Sequence, residues 1–102
     1  MRLISKSRLR EFWEKHPQAR ASLESWHGIC KDAAWRNFME VRQCFGTVDT
    51  ARVASGHTVT IFDIGGNKYR LIAAIHYNHQ TLYILRVLTH ARYDTNEWKE
   101  EL

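Results

Sequence analysis

The sequence predicts a small α+β domain in which helices from the N-terminal half pack on one face of an antiparallel sheet from the C-terminal half. Apolar residues recur at helical spacing in segments up to Gly46 and alternate at strand spacing from His57 onward. The chain has 102 residues, of which 44% are hydrophobic, and this is enough for one compact core. We therefore expect residues 1–102 to form a single domain.

Three helices are predicted before the sheet. The first begins with Ser7 as its N-cap and ends before the only proline, and the second covers residues 18–31. The third is capped by Asn37, with Glu40 at the capping-box spacing, and ends at Gly46. The apolar residues expected to face the sheet are Leu9, Phe12, Trp13, Leu23, Trp26, Cys30, Ala33, Phe38, Met39, Val41 and Phe45.

Three strands are predicted in the C-terminal half, which is rich in β-branched and aromatic residues. Residues 65–67 tolerate a positive φ and residues 78–80 form a second polar break, so both connections are predicted hairpins and the strands antiparallel. Residues 1–5 are predicted to form a short strand that pairs with a segment distant in sequence. Residues 92–102 are predicted to form a short helical or frayed tail anchored by Trp98.

Alternation in the second of these strands separates a basic face from an apolar face. Lys68 and Arg70 point to one side, while the odd-numbered residues 69–77 point toward the helices. We expect the even-numbered residues 82–88 to share one face of the next strand, which brings Arg86 beside Lys68 and Arg70 in the register that we assume. The net charge of +4 favours an anionic partner such as nucleic acid, an anionic membrane surface or an acidic protein.

The segment from Thr89 to Asp94 directly follows the last strand and places a hydroxyl, an imidazole, a guanidinium, a phenol and a carboxylate within six residues. Cleavage of RNA requires proton transfer and stabilisation of charge on the phosphorane. An imidazole can perform the first task, and Arg and Lys the second. His90, Arg70 and Lys68 suit these tasks. A purely structural reading stays open, in which His90 caps the strand or bonds to Asp94 and the basic face is solvated.

Other classes of site are less favoured by the sequence. Cys30 and Cys44 lack metal-ligand spacing and are expected to be reduced core residues, so we predict neither a metal nor a cofactor. The histidines of the sheet half also lack ligand spacing; they are His57, His76, His79 and His90. The tyrosines of the strands are interpreted as core residues rather than base-stacking residues; they are Tyr69, Tyr77 and Tyr83. No apolar run approaches the roughly 20 residues that cross a bilayer, so we expect a cytoplasmic protein.

Three segments of the chain carry a recognisable pattern. The first is Leu9–Pro17, the second is Phe62–Leu71, and the third has Thr89-His90 followed by Tyr93-Asp94. In this order and separation they resemble the HigB-type toxins of bacterial type II toxin–antitoxin systems, and the resemblance runs nearly from end to end.

The resemblance implies the RelE-like fold, a small antiparallel sheet with N-terminal helices on one face, and an endoribonuclease that cuts mRNA in connection with translation. We expect this cleavage to require no metal, and whether it requires the ribosome stays open. It also implies a cognate HigA-type helix-turn-helix antitoxin that neutralises the toxin. Carried over by position, it points to Lys68, Arg70, His90, Tyr93 and Asp94 as catalytic residues. The basic face adds Arg86 to Lys68 and Arg70 as expected RNA contacts, and Arg92 joins them because it stands where related chains often carry an acidic residue, which makes the site more basic. Asn67 is interpreted as a turn residue. Which residue is the base and which the acid stays open.

Two other functions are compatible with the same residues. A non-catalytic module could bind RNA, the ribosome or a partner protein through the basic face. A toxin of the related fold could instead poison DNA gyrase.

Overall fold

The computed structural model describes residues 1–102 and contains one five-stranded sheet with the strand order β1-β5-β4-β3-β2. In chain order the elements are β1 (Arg2–Ile4), α1 (Ser7–Lys15), α2 (Arg20–Asp32), α3 (Phe38–Cys44), β2 (Asp49–Arg52), β3 (Thr58–Ile64), β4 (Tyr69–His76), β5 (Thr81–Thr89), α4 (His90–Asp94) and α5 (Glu97–Glu101). Short 3-10 turns lie at Pro17–Ala19 and Tyr77–His79. This α+β architecture confirms the predicted fold class, although the sheet is mixed because β1 runs parallel to β5.

The three N-terminal helices pack on one side of the sheet, which we call the helix face. Leu23, Trp26 and Cys30 follow the three- and four-residue spacing of one helical stripe, and all three are fully buried. The ring of Trp26 meets Phe62 of β3 edge-on, with the ring centroids 5.3 Å apart. Tyr69, Leu71 and Ala73 lie in the same core, as the alternation of β4 predicts. None of the helices is long and apolar enough to cross a membrane.

The helix ends differ in detail from the predictions. Lys6 occupies the N-cap position of α1 and Ser7 is the first helical residue, so the predicted Ser7 cap is wrong by one residue. The Asn37 cap of α3 is confirmed, because its side chain accepts a hydrogen bond from the Glu40 amide at 3.1 Å. Helix α3 ends at Cys44, before Gly46, because Phe45 already has extended backbone angles.

Two residues of α3 that were predicted to be in the core lie on the surface. Met39 points away from the sheet with 64% of its area exposed, because its neighbours Phe38 and Val41 occupy the inward stripe of this short helix. Cys44 is exposed at the end of α3, whereas Cys30 is buried, and both cysteines are free thiols.

The predicted hairpins are confirmed, and one further strand was missed. Positive φ values occur at Gly65, Gly66 and Asn67 in the first turn and at Gln80 in the second. Strand β2 pairs antiparallel with β3, with Asp49 opposite Ile61. The four residues of β2 show no alternation of apolar and polar side chains, so the sequence pattern did not predict a strand there.

The side of the sheet away from the helices, the outer face, is not the open basic surface that alternation predicts. Trp98 of α5 is 2% exposed and packs in a second apolar cluster with Val53, Val59, Ile61 and Ile72. The backbone of α5 is also attached, since the Lys99 carbonyl accepts a hydrogen bond from the Ala54 amide at 2.9 Å. The C-terminal segment is therefore a packed cover over part of this face and not a frayed tail.

A β-bulge at Leu85 decides which way the end of β5 faces. Ile72 of β4 lies opposite Arg86, but Ala73 lies opposite Ile84, so Leu85 is an extra residue without a partner. Before the bulge, Leu82 and Ile84 are buried on the helix face. After it, Arg86 and Leu88 oppose Ile72 and Arg70 on the outer face. The expectation that residues 82–88 share one face is wrong for Leu82 and Ile84, whereas Arg86 does lie on the face of Arg70.

Candidate active site at one end of the sheet

The polar residues singled out by the sequence meet at the end of the sheet where β3 and β5 finish and β4 begins. Tyr69 pairs with Thr89 in the register of β4 and β5, so the residues just outside that pair, Lys68 and His90, are neighbours. The amide of His90 donates a hydrogen bond to the Lys68 carbonyl at 3.0 Å. We call Lys68, Arg70, His90, Tyr93 and Asp94 the sheet-end cluster. The structure brings all five to this end.

His90 is the first residue of α4 and is held from two sides. Thr89 caps the helix by accepting a hydrogen bond from the Arg92 amide at 3.2 Å. The His90 Nδ1 atom lies 2.9 Å from Asp94 Oδ2, one helical turn on, and both side chains are about half exposed. A carboxylate at Nδ1 favours a proton on that nitrogen, which leaves Nε2 directed away from Asp94 and free of protein partners. The pair therefore orients an accessible imidazole.

Arg70 is largely buried, whereas the sequence suggests an exposed arginine that contacts phosphate. Its side chain is 11% exposed, and its Nε atom lies 3.0 Å from Asp63 Oδ1 of β3. One terminal nitrogen donates to the Asn67 and Tyr69 carbonyls at 3.1 and 3.2 Å, and the other donates to Asn67 Oδ1. These contacts use four of the five N–H groups of a guanidinium. Arg70 is a fixed positive charge beneath the site.

Tyr93 connects Arg70 to the C-terminal cover. Its ring stacks on Trp98 with centroids 5.3 Å apart and planes 14° apart, while the Arg70 guanidinium carbon lies 5.2 Å from the Tyr93 centroid. Burial raises the pKa of the Tyr93 phenol, an effect that Arg70 opposes and that Asp49, Asp63 and Asp94 reinforce. The phenol therefore stays protonated at neutral pH and can donate a hydrogen bond or a proton.

Arg86 and Arg92 both face acidic residues of the C-terminal segment. Arg86 is 30% exposed, and its nearest carboxylate oxygen belongs to Glu101 at 3.6 Å. Arg92 lies 3.5 Å from Glu97, and both of these side chains are largely exposed. Such surface pairs contribute roughly 1 kcal/mol or less, so a phosphate can compete with the carboxylates.

Sequence reasoning missed two residues that shape this site. Asp63 stands directly opposite Arg70 across the first hairpin, a pairing that follows once the turn at residues 65–67 fixes the register. Asn67 has the positive φ expected of a turn residue, at 85°, but its side chain and carbonyl also hold Arg70. The sequence feature that could have predicted the Asp63–Arg70 pair is a carboxylate before the turn and an arginine after it.

The remaining candidate ligands do not converge. No group of three or more His, Cys, Asp or Glu side chains lies close enough together to hold a metal ion. His57 and His76 lie near the opposite end of the outer face, where β3 starts and β4 ends.

Comparison with known proteins agrees with the pattern of motifs. Residues 19–96 match the model of the HigB toxin family, described as the RelE-like toxic component of a toxin–antitoxin system. The mRNA interferase toxin HigB of Escherichia coli K12 and the mRNA interferase HigB of Shigella flexneri are each 29% identical to this chain over 94 residues. Each alignment covers 92% of this chain and 88% of the relative. The family match covers more than half of the chain, which therefore belongs to the HigB family of RelE-like toxins.

Proposed function

We propose that this chain is an mRNA interferase, an endoribonuclease in which a ribose 2′-hydroxyl attacks the adjacent phosphate. The observation that carries the proposal is the sheet-end cluster, where an oriented imidazole, a protonated phenol and two positive charges occupy one end of the sheet. The names of the E. coli and Shigella relatives support the same activity.

The proposed reaction forms a bond between the 2′-oxygen and phosphorus and breaks the bond to the 5′-oxygen. His90 Nε2 accepts the 2′-hydroxyl proton while Asp94 holds Nδ1 and stabilises the resulting imidazolium. Tyr93, with its raised pKa, keeps a proton that it can donate toward the departing 5′-oxygen. The products are a cyclic 2′,3′-phosphate and a 5′-hydroxyl, so no oxidant, water or metal is consumed.

Charge on the phosphorane is stabilised by Lys68 and Arg70 in different ways. Lys68 is exposed and offers a mobile ammonium to the phosphate oxygens. Arg70 is fixed by Asp63 and Asn67 before substrate arrives, so its field needs no reorganisation during the reaction. Arg86 and Arg92 contact phosphates farther along the RNA, in exchange for their carboxylate partners.

Membership of a toxin–antitoxin family implies an antitoxin partner. We propose that this partner is a HigA-type helix-turn-helix protein and that the toxin acts in the cytoplasm on mRNA bound to the ribosome. The net charge of +4 suits both RNA and an acidic neutralising partner.

The test is to map RNA 5′ ends after tightly controlled induction of the wild type and of His90→Ala. We expect the wild type to arrest growth and create new 5′ ends, and His90→Ala to reduce cleavage by about 10²- to 10⁴-fold, the usual contribution of a general acid or base. His79→Ala is the matched control, because this exposed histidine lies in the turn at the opposite end of β5. It should cleave like the wild type.

The alternatives give different results in the same experiment. Growth arrest without new 5′ ends, retained in His90→Ala, would indicate a non-catalytic binding module. Induction of the DNA damage response without loss of mRNA would indicate a gyrase poison.

A further inference from the structure

The C-terminal segment leaves β1 and the first half of β5, before Leu85, uncovered on the outer face. Its anchor, Trp98, lies in a cluster with apolar residues that precede or belong to β3 and β4, and Leu85 and Leu88 from the second half of β5 pack against this cluster. Beyond this cover Tyr83 is 39% exposed, and it is one of only three large hydrophobic residues on the surface of the protein. An aromatic ring exposed in this position is accessible to a ligand from solvent.

Tyr83 faces outward because its two neighbours in β5 face inward. Leu82 and Ile84 are fully buried on the helix face, which directs the side chain between them to the outer face. The prediction that Tyr83 is a core residue is therefore wrong. Its ring lies edge-on to His76, with the ring centroids 5.2 Å apart and the planes at 75°. This contact orients the phenol ring without burying it.

The surroundings of Tyr83 are positively charged. Arg2 of β1 is exposed on the same face, since its neighbour Leu3 packs toward the helix-face core. Arg86 follows Tyr83 by three residues on β5, also on the outer face. No aspartate or glutamate occurs before Glu11 or between Asp63 and Asp94, so β1, β4 and β5 carry no carboxylate, and the carboxylate that lies near Arg86 is Glu101 of α5, at 3.6 Å.

We infer that this surface, formed by Arg2, His76, Tyr83 and Arg86 and called here the β1–β5 surface, binds the single-stranded RNA on one side of the cleavage site. A base stacks on Tyr83 and the flanking phosphates contact Arg2 and Arg86. Aromatic platforms among basic residues bind single strands in this way, with little sequence preference. The inference rests on the proposed function.

The distance along β5 fits one continuous substrate. Tyr83 and Thr89, the cap of the helix that carries His90, are six residues apart on the same strand. At about 3.3 Å per residue this is roughly 20 Å, so a substrate of several nucleotides reaches both places. Arg86 lies between them and bridges the stacking platform and the sheet-end cluster.

The test measures binding separately from cleavage, using the full chain and a single-stranded RNA dodecamer with 2′-O-methyl riboses, which cannot undergo 2′-hydroxyl attack. We expect Tyr83→Ala to weaken binding by about 5- to 150-fold, the range for loss of one stacked base. Tyr83→Phe keeps the ring and should bind like the wild type. Met39→Ala is the matched control, because Met39 is exposed on a helix remote from this surface.

Salt dependence separates stacking from charge. Arg2→Gln should reduce the slope of log K against log salt concentration by about 0.7, the value for one phosphate contact on a single strand. Tyr83→Ala should leave this slope unchanged. With a cleavable RNA, Tyr83→Ala should raise KM and leave kcat unchanged. Thermal unfolding of each variant should match that of the wild type, because both side chains are exposed.

Failure of this inference and failure of the proposed function give different results in these assays. If Tyr83→Ala binds RNA within twofold of the wild type while His90→Ala abolishes cleavage, the surface assignment is wrong and the function stands. If the wild type binds through Tyr83 but creates no new 5′ ends, the surface stands and the nuclease proposal fails. Absence of RNA binding by the wild type, or loss of antitoxin binding alone in Tyr83→Ala, would also overturn the inference.

Discussion

Replacing Asp63 by alanine should both destabilise the protein and slow cleavage, because this carboxylate holds the buried guanidinium of Arg70. Removing one partner of a fully buried ion pair costs about 3–5 kcal/mol. Here Arg70 is 11% and Asp63 25% exposed. Arg70 also keeps its bonds to Asn67 and Tyr69, so the expected loss is smaller, about 2 kcal/mol. In a domain of this size that lowers Tm by about 8–16 °C.

The assay is urea unfolding of the wild type, Asp63→Ala, Arg70→Met and the double variant. The double variant should be less destabilised than the sum of the single variants by about 1 kcal/mol or more, since the two residues interact directly. Asp49→Ala is the matched control. Asp49 is an exposed aspartate at the same end of the sheet, and its only side-chain bond is to the Thr50 amide. The Asp49→Ala substitution should lower the free energy of unfolding by less than about 0.5 kcal/mol.

Cleavage provides the second readout. Asp63→Asn keeps an oxygen acceptor for Arg70 Nε but removes the charge, so it should lose about half as much stability as Asp63→Ala, about 1 kcal/mol. It should also recover part of the lost kcat. Equal stability of Asp63→Ala and Asp49→Ala, or strict additivity in the double variant, would refute the view that Asp63 positions Arg70.

Three further predictions concern other parts of the molecule. Trp98→Ala should lower the free energy of unfolding by about 3–5 kcal/mol, because it leaves a cavity in the outer-face cluster. It should also reduce cleavage, because Tyr93 loses the ring on which it stacks. A variant with unchanged thermal unfolding and full activity would contradict the stacking role. Burial, Lys6 and Lys31 lower the pKa of His27, so the unfolded chain takes up this proton first and stability falls as the pH drops below about 6.5. His27→Gln should flatten the dependence of Tm on pH in that range, and an unchanged profile would exclude His27 as the cause. Cleavage of a purified RNA substrate should be equal with and without EDTA, whereas loss of activity that added Mg²⁺ restores would reject the metal-independent mechanism.

The parts of the fold that follow from local pattern were predictable from the sequence. The buried stripe of Leu23, Trp26 and Cys30 appears as helical spacing, and the two hairpins appear as polar breaks between alternating segments. Strand β2 was not predictable, because its four residues become a strand only by pairing with the edge of β3. Local pattern also could not show that Trp98 folds back onto the outer face.

The sequence predicted which residues belong to the site, but it did not predict how they are arranged. The predicted hairpin between β4 and β5 brings Lys68 and His90 together to within one residue, and the bulge at Leu85 sets the final register. The burial of Arg70 depends on Asp63, Asn67 and Tyr93, which come from three separate segments. Alternation assigns a side chain to a face, but it does not tell whether a distant segment covers that face.

The bulge at Leu85 sets the facing of the last residues of β5, from Arg86 to Thr89, because it takes one residue out of the ladder. If Leu85 entered the ladder, it would pair with Ile72 and Arg86 with Leu71, which would turn the arginine toward the helix-face core and the base of α4 away from Arg70. Deleting Leu85 removes the unpaired residue instead, so the residues from Arg86 to Thr89 keep their present partners and facing. Substituting Leu85 by another apolar residue keeps the count and should be tolerated. Natural relatives that keep the activity should therefore tolerate loss or substitution of the residue at this position, whereas a single-residue insertion between Arg86 and Thr89 would turn His90 away from Arg70 and should give a folded but inactive toxin.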